Sequence, residues 1–230
     1  MISLNLHINK VTPCQCCGKD RPIRKWDKSY EVIEKYGSWG IADDTKGTLV
    51  DALCRCPNCG WIFLDNTDEN NLNDSVRSVV FSDGYQSEIK NLSTENPDWV
   101  VSWILYAQLC KFTQRYAQAI CAWMKVFDYG VALKKEKWAS PLKAILEIYD
   151  YCGSNQIQMD GTDIVFMMCL LVDVGRKAEN FDMASAFLKD LVSVIDKEDP
   201  KSEKIINRLS YLIDTKDSTT PAGYCELLKE

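Results

Sequence analysis

Residues 54–61 read CRCPNCGW, with three cysteines within six positions followed by a glycine and a tryptophan. A related stretch, CQCCGK, occupies residues 14–19, and both stretches contain Cys-x-x-Cys-Gly. A tight turn with two residues between its cysteines brings their sulfurs to about 3.7 Å, the separation set by metal–sulfur bonds of about 2.3 Å in a tetrahedral site. The glycine that follows permits the backbone angles in which amide N–H groups point at the thiolates.

Two such turns in one chain predict a four-cysteine Zn²⁺ site, because each turn supplies one pair of ligands. The predicted ligands are Cys14, Cys17, Cys56 and Cys59. Four thiolates fill the coordination sphere and leave no open position for water or substrate. The metal is therefore expected to be structural and not catalytic.

Two cysteines of the same stretches, Cys16 and Cys54, are left over. We expect their thiols to lie close to the metal without binding it. A two-zinc cluster that uses all six sulfurs is one alternative, and redox use of one Cys-x-x-Cys pair is another, although a thioredoxin-like pair belongs to a βαβ context that is missing here. His7 is the only histidine, and it is expected to be exposed near the terminus instead of binding the metal.

The sequence around the two turns predicts a small β unit over residues 1–64. Residues 49–55 and 61–64 flank CPNCG as the strands of a hairpin would. The 38 residues between the turns are predicted to include a short helix over 30–36. DNTDENNLND follows at 65–74 and is interpreted as an exposed acidic connection, since a calcium loop would need a glycine and a terminal Glu in other positions.

From residue 75 to residue 230 the apolar pattern changes to a period of 3.6, which predicts an all-α domain. One stripe consists of Trp99, Trp103, Tyr106 and Cys110. After a polar break at 113–115, a second stripe consists of Tyr116, Ala119, Ile120, Trp123 and Phe127 and is expected to end at Gly130. Further helices are expected near 133–152, 162–178, 181–196, 201–215 and 221–228. The predicted fold class is therefore α+β.

The helix pair at 100–130 resembles a tetratricopeptide repeat, in which small residues let two helices approach and bulky residues fill the gaps. The positions that carry this resemblance are Trp103, Ala107, Tyr116, Ala119 and Trp123. A weaker second copy has Phe181, Ala184 and Leu188. The resemblance implies a concave surface that binds a peptide or protein, and a generic helical bundle is the alternative.

Together, the paired turns and the helices after them resemble an uncharacterised bacterial family with an N-terminal four-cysteine zinc ribbon and tetratricopeptide-like helices. The second turn, CPNCGW, and the Trp-rich helix pair carry this likeness. The chain departs from the family pattern in its long insert and in Cys16 and Cys54. The family has no established activity that could be transferred to this chain.

Composition indicates the cellular compartment and the roles of the cysteines. The chain has 230 residues, a net charge of −6 and 11 cysteines. Because no export signal is evident, the cysteines are interpreted as thiols and metal ligands, and a cytoplasmic location is expected. Five lie in the helical part and are expected to fill the core: Cys110, Cys121, Cys152, Cys169 and Cys225. The longest apolar run, 164–172, is too short to span a membrane.

Three classes of function were weighed. An enzyme is not expected, because the phosphate-binding glycine motifs are missing and a single histidine gives no Ser–His or Cys–His site. Nucleic-acid binding is the alternative function, through a basic segment after the first turn. This segment consists of Lys19, Arg21, Arg24, Lys25 and Lys28, with Trp26 as a stacking ring. The preferred prediction is a non-enzymatic, zinc-stabilised adaptor with a protein or peptide partner.

Overall fold

The computed structural model describes residues 6–26, 53–64, 72–133, 139–157, 164–195, 198–220 and 222. These residues form β1 (Leu6–Pro13), β2 (Asp20–Trp26), β3 (Leu53–Arg55), β4 (Ile62–Leu64), α1 (Asp74–Val80), α2 (Asp83–Glu95), α3 (Asp98–Phe112), α4 (Tyr116–Leu133), α5 (Ala139–Ser154), α6 (Ile164–Lys177), α7 (Phe181–Val194) and α8 (Pro200–Asp214). The described part of the chain is therefore mostly helical. The helices predicted at 30–36 and 221–228, and residues 65–71 of the acidic connection, lie outside it.

The chain divides into two compact units. The first unit contains the described residues 6–26, 53–64 and 72–114, and the second contains those from 115 onward. The helices α1–α3 thus belong to the same unit as the strands. The domain bounds expected from the sequence, 1–64 and 75–230, stay a prediction.

The four strands form two antiparallel hairpins with the same loop length. β1 pairs with β2 up to the pair Pro13 and Asp20, and β3 pairs with β4 up to the pair Arg55 and Ile62. Each Cys-x-x-Cys-Gly turn therefore occupies the same six-residue connection of its hairpin. The strands expected around CPNCG do pair with each other.

Helices α1 and α2 follow the hairpins, and each begins at a polar cap. The side chain of Asn73 accepts a hydrogen bond from the backbone N–H of Val76, and the hydroxyl of Ser82 accepts one from Tyr85. Such caps satisfy amides that have no partner within the helix. Neither helix was individually predicted from the sequence.

Helix α3 completes the first unit. It contacts α2, β3 and β4, and residues 100–107 are buried on every side of the helix. The Arg55 guanidinium and the Asp98 carboxylate form an ion pair of 2.6 Å between β3 and the start of α3. The helix ends at Phe112, and α4 begins at Tyr116, as the polar break predicted.

The second unit is centred on α6, which contacts α4, α7 and α8. Residues 167–172 of the predicted apolar run are all buried, and the burial continues to residue 178, although Ile164 at the start of the helix is 54% exposed. A Cβ atom on Gly175 would lie 2.9 Å from the backbone nitrogen of Ala184. The absence of a side chain at Gly175 therefore allows α6 and α7 to pack closely.

One helix end was predicted wrongly. Gly130 was expected to stop α4, but the helix continues to Leu133. A glycine inside a helix costs about 1 kcal/mol relative to alanine and ends the helix only where the backbone turns left-handed. The three apolar residues after Gly130 continue the helix instead.

A buried ion-pair network joins α6 to the segment after α8. Arg176 and Asp173, both fully buried, form an ion pair, and Lys177 Nζ lies 3.6 Å from the other oxygen of Asp173. Arg176 also donates hydrogen bonds to the backbone carbonyls of Asp217 and Thr220.

Among the described residues, none of the helices has the length and apolar character needed to cross a membrane.

Candidate metal centre

The two Cys-x-x-Cys-Gly turns, named here the first knuckle (residues 14–19) and the second knuckle (residues 56–61), have the same backbone. In the first knuckle the Gly18 N–H donates to the carbonyl of Cys14 at 2.7 Å, and in the second the Gly60 N–H donates to Cys56 at 2.9 Å. The first cysteine of each turn also donates to the carbonyl five residues later, at 2.8 and 2.9 Å. Local sequence therefore fixes the two turns in one shape.

The structure brings the four predicted ligands together. The sulfurs of Cys14, Cys17, Cys56 and Cys59 all lie within 4.8 Å of one another. Between the knuckles, the Cys14 and Cys59 sulfurs are 3.9 Å apart, and those of Cys17 and Cys56 are 3.8 Å apart. These distances agree with the separation of about 3.7 Å for sulfurs around one tetrahedral ion. The four side chains can therefore hold a metal ion.

Burial disfavours the thiolate form of two of the four cysteines, Cys14 and Cys59. Cys14, Cys56 and Cys59 are buried, and Cys17 is partly exposed. Burial raises the pKa of Cys14 to about 11 and raises the pKa of Cys59 further. Burial acts on Cys56 too, but N–H donors from Cys59 and Asn58 outweigh it and lower the pKa of that thiol. A bound divalent ion deprotonates such thiols outright, which suits this donor set.

Side chains from α1 and α2 hold the backbone of both knuckles. Arg77 Nη1 donates to the carbonyl oxygens of Gln15 and Cys16, at 2.9 and 2.7 Å. On the second knuckle, Gln86 Nε2 donates to the Cys59 carbonyl at 2.9 Å, and the Tyr85 hydroxyl donates to the Gly60 carbonyl at 3.0 Å. Both helices therefore position the metal site.

A hydrogen bond links the second knuckle to the start of β2, and the second knuckle ends in a stacked aromatic pair. Asn58 Nδ2 donates to the Asp20 carbonyl at 2.9 Å, which links the second knuckle to the end of the first. The rings of Trp61 and Phe63 stack with centroids 4.6 Å apart, and both side chains are buried. The second knuckle therefore ends in a buried aromatic pair.

The structure describes the other candidate residues from the sequence only in part. The Cys16 thiol is buried, but it does not belong to the group of four sulfurs. Burial raises its pKa.

Cys54 lies on β3 and His7 on β1, and their side chains lie outside the described part. Of the helical cysteines, Cys110, Cys152 and Cys169 are buried and Cys121 is partly buried, which agrees with their expected core role; Cys225 lies outside the described residues.

The sequence analysis missed the three side chains that bind the knuckles from outside: Arg77, Tyr85 and Gln86. Two local signals could have found the helices that carry them, namely the caps Asn73 and Ser82, each followed by an aspartate. No local pattern indicates that these side chains reach carbonyls up to 62 positions earlier in the chain.

The chain was compared with protein-family models, with curated proteins and with solved structures, and none of the three comparisons gave a match. The likeness to a bacterial zinc-ribbon family therefore depends on the residues quoted above.

Proposed function

We propose that Cys14, Cys17, Cys56 and Cys59 hold one structural Zn²⁺ and that the chain acts as a non-enzymatic protein-interaction module. The observation that carries the proposal is the closed group of four sulfurs, all within 4.8 Å of one another. All-sulfur tetrahedral sites select zinc or iron, and zinc is the usual ion where the site serves the fold alone. A complete shell of thiolates favours a structural role.

The proposal includes the fold assignments made from the sequence. The shared register of the two hairpins supports a zinc ribbon in the first unit. The close approach of α6 and α7 at Gly175 and Ala184 supports tetratricopeptide-like packing in the second unit. Reduced thiols in such number suit the cytoplasm.

A tyrosine pair at the surface, formed by the half-buried Tyr116 and the exposed Tyr151, supports the interaction role. Tyr116 on α4 and Tyr151 on α5 have ring centroids 5.7 Å apart, and Tyr151 is 48% exposed. Tyrosine is enriched at protein interfaces because it offers a large contact area at a low cost in conformational entropy. We assign this pair to the surface that binds the protein partner.

Affinity purification of the full chain from its native host tests both parts of the proposal when zinc is measured on the same sample. Tyr151→Ser should lose a partner that the wild type captures, without lowering the melting temperature. Tyr211→Ser is the matched control, since Tyr211 on α8 is 58% exposed and should keep the partner. Retention of every partner by both variants contradicts the interaction role, and a chain without zinc contradicts the metal assignment.

Nucleic-acid binding is the second candidate because Arg21, Arg24 and Lys25 lie on β2, directly after the first knuckle. Phosphate contacts make such binding strongly dependent on salt. Labelled single-stranded RNA or DNA that binds the full chain at low salt and dissociates as salt rises would favour this function. No binding at low salt would exclude it.

A further inference from the structure

Arg77 and Tyr85 touch the knuckles at peptide groups that lead directly to two of the four sulfurs. In a peptide group, the carbonyl of one residue and the N–H of the next share one conjugated unit. A donor that binds the carbonyl polarises the unit and strengthens the hydrogen bond made by its N–H, by about 10–30%. The acceptor of each N–H therefore determines which group is affected by a side chain that binds the carbonyl of the same peptide unit.

On the first knuckle, both peptide groups held by Arg77 lead to Cys14. Arg77 binds the carbonyls of Gln15 and Cys16. The N–H groups of the same two peptide units belong to Cys16 and Cys17, and both donate to the Cys14 sulfur. One guanidinium thus acts on one sulfur along two parallel hydrogen-bonded paths.

On the second knuckle, Tyr85 reaches Cys59 in the same way. Its hydroxyl binds the Gly60 carbonyl at 3.0 Å, and the N–H of that peptide unit, from Trp61, donates to the Cys59 sulfur. The Cys14 and Cys59 sulfurs are the pair that lies 3.9 Å apart across the site. The two paths therefore end on neighbouring sulfurs from different knuckles.

Gln86 provides an internal comparison. It is the neighbour of Tyr85 on α2 and binds the Cys59 carbonyl at 2.9 Å, but the N–H of that peptide unit, from Gly60, donates to the Cys56 carbonyl and not to a sulfur. Gln86 holds the same knuckle with the same kind of contact. Gln86 also donates to the carbonyl of Val80 at 2.7 Å, but its contact with the knuckle has no path to a thiolate.

We propose that Arg77 and Tyr85 are positioning residues that tune the metal-bound sulfurs of Cys14 and Cys59 through the knuckle peptide groups. The inference rests on the proposed metal site. Four thiolates around a divalent ion carry excess negative charge, which stronger N–H donors and a nearby guanidinium stabilise. Loss of either residue removes part of this stabilisation and leaves more electron density on the sulfur, which weakens metal binding.

The test uses the full chain with Co²⁺ as a spectroscopic probe and Zn²⁺ for affinity. Tyr85→Phe and Arg77→Met should move the sulfur-to-cobalt charge-transfer band to lower energy and weaken Zn²⁺ binding at neutral pH by about 10-fold or more, as loss of outer-sphere partners typically does. Arg77→Lys, which keeps the charge and a donor, should recover part of the shift. Gln86→Met should leave the band in place.

Each outcome has a definite reading. If Gln86→Met shifts the band as far as Tyr85→Phe, or if Tyr85→Phe leaves it unchanged, the inference is overturned while the metal site stands. A wild-type chain that binds neither Co²⁺ nor Zn²⁺ overturns the site and the inference together. Should Arg77→Met fail to fold by circular dichroism, Tyr85→Phe carries the test, since it removes a single oxygen atom.

Discussion

Gly18 and Gly60 adopt the same left-handed conformation, with φ of 71° and 76°, yet their surroundings differ. A Cβ atom on Gly18 would meet nothing within 4 Å, whereas a Cβ on Gly60 would lie 2.2 Å from Ile89 Cδ1. The two knuckles thus share a backbone, but only the second is packed against α2. Gly18 is therefore required by its backbone angle alone, whereas Gly60 is required by both its backbone angle and its packing.

The glycine pair gives a comparison of stability. Gly18→Ala should cost about 1–2 kcal/mol, the penalty for a left-handed alanine. Gly60→Ala should cost more, by up to about 1 kcal/mol, because the end of the half-buried Ile89 side chain must move. Urea unfolding of the zinc-loaded variants measures both values. Equal losses in the two variants would mean that α2 does not press on the second knuckle in solution.

The ligand assignment can be tested with adjacent cysteines. Cys14→Ser should reduce Zn²⁺ affinity strongly, because serine does not replace a thiolate ligand at neutral pH. Cys16→Ala is the matched control two residues away and should keep one Zn²⁺ per chain. Competition with a chromogenic chelator and elemental analysis give the affinity and the stoichiometry. A comparable loss in Cys16→Ala would favour a cluster that uses more than four sulfurs.

Arg176→Met should destabilise the second unit by about 3–5 kcal/mol, since it removes one partner of a fully buried ion pair and leaves Asp173 undercompensated. Lys143→Met is the control, because Lys143 and Glu147 form an exposed pair at 3.7 Å worth about 0.5 kcal/mol or less. Thermal unfolding of both variants provides the comparison. A loss in Arg176→Met no larger than in the control would contradict burial of the pair.

Asp217 predicts a specific dependence on pH. The Thr220 hydroxyl, together with the backbone N–H groups of Thr220 and Thr219, holds the pKa of this carboxyl far below its usual range. A lowered folded-state pKa adds stability above the unfolded value of about 3.9, and this contribution disappears as the pH falls toward the folded pKa. The stability advantage of wild type over Asp217→Asn should therefore be full at pH 7 and shrink between about pH 4 and pH 2.

Hydrogen exchange of peptides from α8, corrected for intrinsic rates at each pH, measures this advantage. Thr220→Val removes one hydroxyl donor and keeps the backbone donors and the Thr219 hydroxyl, which lies 3.1 Å from Asp217 Oδ1, so it should give an intermediate pH dependence. An advantage that stays constant down to pH 2 would contradict the predicted role of Asp217.

The sequence predicted the parts of the structure that depend on local spacing. Cys-x-x-Cys-Gly is a complete description of a knuckle, and the 3.6-residue period located α3 to α8. Helix α1 was missed because seven residues hold too few turns for a period to emerge, and α2 because its sequence is polar and contains Gly84. The end of α4 was predicted wrongly at Gly130 because an isolated glycine does not by itself determine the backbone angles that end a helix.

The contacts that complete the site could not be predicted in this way. Arg77 and the carbonyl of Gln15 are 62 positions apart, and Tyr85 and Gly60 are 25 apart. Their meeting depends on how α1 and α2 pack against the hairpins. A periodic pattern identifies the face of a helix but not the atom that a side chain on that face will reach.

The dependence of the knuckles on α1 and α2 bears on how the protein can be divided. A peptide that stops at residue 64 carries all four cysteines but lacks Arg77, Tyr85 and Gln86, so the four carbonyls that these side chains bind would lose their partners. A cut after Gln114, at the edge of the first unit, keeps every one of these partners. A piece that ends with α3, well beyond Cys59, therefore keeps the described part of the first unit whole.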